Sequence, residues 1–167
     1  EAEALGILPA KLENRPAIAV LGHDVRGAVW AVLELADRAE NGTSVAQALS
    51  VSAPIVERPA NKVRAVSRLF TSDVEDKPWF NDREMWPKYL DLLASQRFNR
   101  FHLAFGIGYD FIRQVTDAYF LFPYPFFLSV SGYNVRVPQL PDSERDHNLE
   151  MLRYISEQTV ARGMDFQ

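Results

Sequence analysis

Arg64 and Arg68 precede an acidic stretch containing Asp73, Glu75 and Asp76, with Trp79 close behind, and His102, Tyr109 and Asp110 follow further along. Guanidinium groups donate to carboxylates and hydroxyls, carboxylates accept from hydroxyls, and aromatic rings offer flat apolar faces. Asp73 with Trp79, and Tyr109 with Asp110, each place an acceptor beside a stacking surface, a combination suited to a polyhydroxylated ring. Thr71, Ser72 and Gly106 belong to the same two stretches. Each residue also has a plainer reading. The carboxylates fit a solvated loop, Trp79 fits core packing, and the arginines fit ion pairs with carboxylates from later in the chain. His102 fits a core histidine satisfied by a backbone group.

Other chemistries find less support. The chain has no cysteine, which excludes disulfides, thiol nucleophiles and thiolate-bound metals. His23, His102 and His147 lack the i, i+4 spacing of a helical metal pair, so no metal is expected. His23 and His147 read as turn and helix-surface residues. Gly106-Ile107-Gly108 begins like a dinucleotide fingerprint but no third glycine follows at the required distance, and no cofactor is expected. A Ser, His and Asp triad is defined by spatial arrangement, which these spacings do not supply.

The elements that must position these residues alternate. Residues 63–70 read as a strand, 82–98 as a helix, 100–106 as a strand, 142–162 as a helix and 164–167 as the start of a third strand. Such alternation predicts parallel strands joined by crossover helices. In the first helix Asn81 and Glu84 have capping-box spacing, Met85, Tyr89, Leu92, Leu93 and Gln96 share one side, and Pro87 bends the first turns unless the helix starts near Glu84. In the second, Met151, Leu152, Ile155 and Thr159 form the stripe predicted to be buried. Between residues 106 and 142 lies a long, aromatic-rich connection, of which 111–118 is read as helical and the rest as a lid or partner surface.

An earlier region, 1–60, reads as a small strand–helix–strand piece. Residues 17–21 form a strand, Gly22-His23-Asp24 a turn with Asp24 as helix cap, and Val25, Ala28, Val29, Val32, Leu33 and Ala36 one apolar helix face. Asn41-Gly42 stops that helix through the left-handed conformation, although Asn41-Gly42-Thr43 also matches a glycosylation acceptor. A strand is expected around 49–56. Bulk properties agree with a packed protein: 47% hydrophobic and 12% aromatic residues, with a net charge of −4 and no basic run. That balance argues against nucleic acid and anionic membrane as partners. No stretch reaches the roughly 20 apolar residues that span a bilayer. The acidic N-terminus lacks the pattern of a secretory signal, and the compartment stays open.

Two spacings resemble a known group of enzymes. Asp24-x-Arg26-Gly27 followed by a helix with Leu33 resembles the end of the small α/β domain preceding the catalytic barrel in family-20 β-N-acetylhexosaminidases, and family-67 α-glucuronidases have a similar domain. Glu57-Arg58-Pro59 followed by Arg64-Ala65 is similar to the hexosaminidase step into the first barrel strand, where an arginine holds sugar hydroxyls. Asn99-Arg100-Phe101-His102-Leu103-Ala104 resembles their second strand, with Ala104 in place of a second histidine. The stretch from Arg68 to Asp73 is about equally similar to the acidic loop after the first α-glucuronidase strand.

The resemblance implies an α/β protein made of a small accessory domain, 1–60, and the first βαβαβ part of an incomplete TIM (β/α)8 barrel, 61–167. It implies a parent glycoside hydrolase acting on a terminal N-acetylhexosamine or uronic acid, with catalytic carboxylates after the fourth strand and so outside this chain. Arg64, Arg68, Asp73, His102, Tyr109 and Asp110 are the expected substrate-binding residues. Arg64 matches the family position, whereas Arg68 lies nearer the strand end where barrel sites form. The expected partners are a carbohydrate and either the missing part of the barrel or a second copy pairing through the open sheet edge. A non-catalytic carbohydrate-binding or assembly module remains the competing reading.

Overall fold

The computed structural model describes residues 1–71, 73–105, 124–133, 137 and 140–167. Its contacts divide the chain into two units, Glu1–Lys62 and Val63–Gln167.

The first unit is built on an antiparallel sheet. Strands β1 (Leu5–Leu12) and β2 (Arg15–Gly22) form a hairpin in which Leu12 pairs with Arg15. The two turn residues, Glu13 and Asn14, both have positive φ, 49° and 64°. Positive φ at both positions gives the turn the twist that matches its strands. β1 was not expected from sequence, because Pro9 interrupts its pattern. β3 (Ile55–Glu57) pairs only with Leu5–Ile7, giving the order β2-β1-β3. Pro9 lies beyond that pairing, where β1 has a neighbour on one side only and a missing N–H is tolerated. The strand expected around 49–56 is thus shorter and later, and a one-turn helix, α2 (Val45–Ala48), precedes it.

Helix α1 (Val25–Asn41) packs on this sheet, but not by the face that periodicity suggested. Gly27, Trp30 and Ala31 are buried, whereas Val25 is 81% exposed and Val32 58%. Valines and alanines recur on two sides of this helix, so period alone does not choose between them. The choice is made by Trp30, which joins Leu5, Ile7 and Ala31 in the core. Gly42 ends the helix in an extended conformation, φ −83°, rather than a left-handed one.

The second unit has a parallel sheet of β4 (Ala65–Phe70), β5 (Arg100–Phe105) and β6 (Asp165–Phe166), in that order. Ala65 pairs with Arg100, and Arg100 with Asp165. Two helices fill the first crossover instead of one: α3 (Asp73–Phe80) and α4 (Met85–Ser95). α3 was obscured by Pro78 within it. The cap of α4 is Asp82, whose Oδ1 accepts from the Glu84 and Met85 amides, rather than an Asn81–Glu84 box. Pro87 follows the first helical bond, from the Trp86 amide to Asp82 O, and the Arg83 carbonyl it cannot serve accepts instead from the Tyr154 hydroxyl at 3.1 Å. Trp86, Leu90, Leu93 and Ala94 are buried on α4, and Leu92 is 58% exposed. The expected stripe was therefore one position out of phase.

In α5 (Asp142–Ala161) Met151, Ile155 and Thr159 are buried as periodicity required, Leu152 is half-buried, and Asn148 is buried in addition. Gly163 adopts φ 73°. Its amide bonds to Val160 O and that of Met164 to Thr159 O, closing the helix with a Schellman turn that aims the chain into β6.

One core unites this second unit: Phe70, Phe101 and Leu103 from the sheet meet Trp86, Leu90, Met151, Ile155 and Met164. Phe70, Phe80, Trp79, Trp86 and Phe101 interlock edge-to-face, with ring centroids 5.6–6.4 Å apart. All of this lies on one side of the sheet. On the other side of β4, Ala65, Ser67 and Leu69 are exposed. Parallel sheets are ordinarily covered on both faces.

Candidate functional site

Asp24, Arg26 and Gly27 form a clasp around the N-terminal segment. The Asp24 carboxylate accepts from the Gly27 amide and from the Glu3 amide, both at 2.8 Å. Arg26 Nη1 pairs with Glu3 Oε1 at 3.2 Å. A side chain at position 27 would put its Cβ 2.3 Å from Ala4 O, and one at Gly22 would lie 2.0 Å from Ala28 N. These amide bonds hold the Asp24 carboxyl below its ordinary range. The motif is thus accounted for by chain packing, with no substrate required.

At the end of β4, Asp76 ties strand to helix. Its Oδ2 accepts from the Thr71 amide at 2.6 Å and its Oδ1 from Trp79 Nε1 at 2.8 Å. Asp76 and Trp79 are thereby engaged with the protein itself. Asp73 is the first residue of α3, and Glu75 is exposed on that helix. Ser72, Gly106, Tyr109, Asp110 and the helix expected over 111–118 lie outside the described residues.

The two arginines do share a side of their strand, as alternation demands, and it is the side packed by helices. Arg64 donates through Nε to Arg97 O at 2.7 Å, and its own amide bonds to Asn99 Oδ1 at 2.9 Å. Both contacts fasten the start of β4 to that of β5. The Arg68 guanidinium lies 4.1 Å from the Trp79 ring centre and 5.3 Å from that of Tyr89.

His102 occupies the opposite side, where it is half-buried. It is in register with Ser67, and Ser67 Oγ lies 3.2 Å from His102 Nδ1. The partner of His102 is therefore a side chain, not a backbone group. With Nδ1 engaged, Nε2 is the nitrogen left for a donor or acceptor role. Ser67 was not singled out from sequence, since only the strand register brings it to the histidine. On the same face the Arg100 guanidinium is 3.8 Å from the Asp165 carboxylate. His147 is exposed on α5, with Nε2 3.0 Å from Asn81 Oδ1. His23, in the turn before α1, gives its amide to Ala4 O.

Among the described residues no group of three His, Asp or Glu side chains could hold a metal, and no helix is long and apolar enough to cross a membrane. The described part of the site is a strand face carrying Ser67, His102, Arg100 and Asp165. It offers hydrogen-bonding groups and one ion pair, and no pair of carboxylates poised for acid–base work.

No protein-family model matches this sequence, and no curated protein matches it. Among solved structures it is similar to a GH138 enzyme targeting pectin rhamnogalacturonan II, with a TM-score of 0.70 at 18% identity. The chain has a glycoside hydrolase-like fold. The similarity covers 98% of this chain and 18% of that one, so it spans under a fifth of the neighbour's length. It reaches glycoside hydrolases through GH138, without singling out families 20 or 67.

Proposed function

We propose that these residues form the front part of a glycoside hydrolase: a small α/β accessory domain followed by the opening strands of a (β/α)8 barrel. The observation that carries this reading is the parallel sheet β4-β5-β6, whose helices pack on one face while Ala65, Ser67 and Leu69 of β4 stand exposed on the other. A barrel encloses such a face with side chains from its remaining strands, and needs about 250 residues to do so. The parent enzyme would add water across the bond to a terminal sugar of an oligo- or polysaccharide, using a pair of carboxylates. Uronic acid and N-acetylhexosamine are the two sugar classes that the sequence motifs favour. The pectic polysaccharide of the structural neighbour makes a pectin-type glycan the first substrate to assay. Within this chain His102, held by Ser67, is the described residue best placed to meet such a substrate. Asp73, Tyr109 and Asp110 remain assigned to it by their position after strand ends.

The test is turnover. Purified residues 1–167 should not hydrolyse chromogenic glycosides or pectic oligosaccharides, whereas a polypeptide that continues the barrel should. Robust hydrolysis by residues 1–167 alone would refute the fragment reading.

The exposed Val25, Val29 and Val32 of α1 favour a second reading, a non-catalytic binding or assembly module. Light scattering separates the two: a stable dimer that binds oligosaccharide supports the module, and a monomer without such binding supports the truncated barrel.

A further inference from the structure

Arg68 carries a charge that no described carboxylate answers. Its Nε is buried without a hydrogen-bond partner. Neighbouring arginines are placed differently: Arg64 bonds to a carbonyl, Arg83 pairs with Glu150, Arg100 with Asp165 and Arg162 with Asp91. The Trp79 and Tyr89 rings interact with the guanidinium face by cation–π attraction. Rings do not satisfy the N–H groups at the guanidinium edge, which point outward in its plane. That edge is a planar fork matched to a carboxylate. Leaving a buried donor unmade is costly, so an acceptor is called for.

The position of Arg68 narrows the source. Among the described residues β4 is an outer strand in the order β4-β5-β6, paired along one edge only. An unpaired edge of a parallel sheet is a template for a further strand. In strand–helix barrels, substrate meets the loops at the C-terminal strand ends, whereas Arg68 lies on the helix side of its strand. A protein carboxylate fits that layer better than a sugar carboxylate.

We propose that Arg68 is the anchoring point for an Asp or Glu side chain on the strand–helix segment that pairs with the other edge of β4. The carboxylate lies in the guanidinium plane while Trp79 and Tyr89 line its faces. This rests on the reading above that the sheet continues.

Sodium acetate is the probe, compared with sodium chloride at equal ionic strength and followed through the Arg68 Nε–H resonance of residues 1–167. Acetate is expected to shift that resonance saturably and chloride is not. Acetate should also raise the denaturation midpoint; Arg68→Lys should weaken that rise, and Arg68→Met should abolish it.

Absence of a saturable acetate response overturns the proposal, as does an acetate-induced rise in midpoint that Arg68→Met leaves intact. Galacturonate binding at least tenfold tighter than acetate would reassign Arg68 to substrate. An acetate response combined with glycoside turnover by residues 1–167 would reject the continuing segment as occupant.

Discussion

Replacing Gly27 by alanine tests whether the first unit is held by close backbone approach. Gly27 is the third residue of α1, where an exposed glycine would gain about 0.5–1 kcal/mol on becoming alanine. Here the new Cβ would stand 2.3 Å from Ala4 O, and the obstacle is backbone, not a flexible side chain. Ala4 O must retreat by about 1 Å to reach ordinary contact, while it is accepting from the His23 amide at 2.9 Å. Overpacking of this kind costs about 1–3 kcal/mol, and a weakened hydrogen bond adds about 1. The net expectation is a loss of about 2 kcal/mol, or roughly 10 °C in midpoint for a unit of this size. Amide exchange on β1 and β2 reads the first unit directly, with β5 amides as internal reference. Gly6→Ala is the control, because its Cβ would meet nothing closer than Leu21 Cβ at 3.7 Å and should be tolerated. Protection in Gly27→Ala equal to or above that of the unsubstituted chain would refute the packing argument.

Asp24→Ala should destabilise the first unit by about 1 kcal/mol at neutral pH, through loss of the cap and of the Glu3 tie. Because the Asp24 carboxyl is lowered in the folded state, its contribution is fully present above the unfolded value of about 3.9 and is lost as pH falls through the lower folded value. Denaturation midpoints of the two proteins should therefore converge in acid, and a gap independent of pH would contradict the assignment. Trp86→Ala should cost the second unit about 3–5 kcal/mol, since a wholly buried ring disappears and the Phe80 carbonyl loses the indole N–H at 2.9 Å. Trp86→Phe should cost less, and near-UV circular dichroism during urea denaturation measures both. A Trp86→Ala loss under about 1 kcal/mol would show that the ring is not central to packing.

The parts legible in the sequence were those whose signal is local. β4, β5 and α5 each combine a clear hydrophobic period with a cap or stop, β6 follows directly on the Gly163 stop, and Asp24 announces its helix by type and place. What escaped was decided at a distance. β1 hides behind Pro9, which is harmless only because β3 is too short to reach it. Pro78 disguised α3 in the same way. The burial of α1 and α4 by unexpected faces follows from where Trp30 and Trp86 find space, which periodicity cannot specify when apolar residues flank both sides. At the candidate site, the residue types were readable but their directions were not. Arg68 and His102 fall on opposite sides of one sheet, a separation set by strand pairing between segments over thirty residues apart. The role of Ser67 follows from the same register.

The distribution of indoles has an optical consequence. Trp79 and Trp86 stand 5.7 Å apart and steeply inclined to one another, while Trp30 is sealed in a core of its own with Leu5 and Ile7. Transition dipoles that close couple, so the pair and the single chromophore carry different spectral signatures. Light absorbed by this protein thus distinguishes its two halves without any added label.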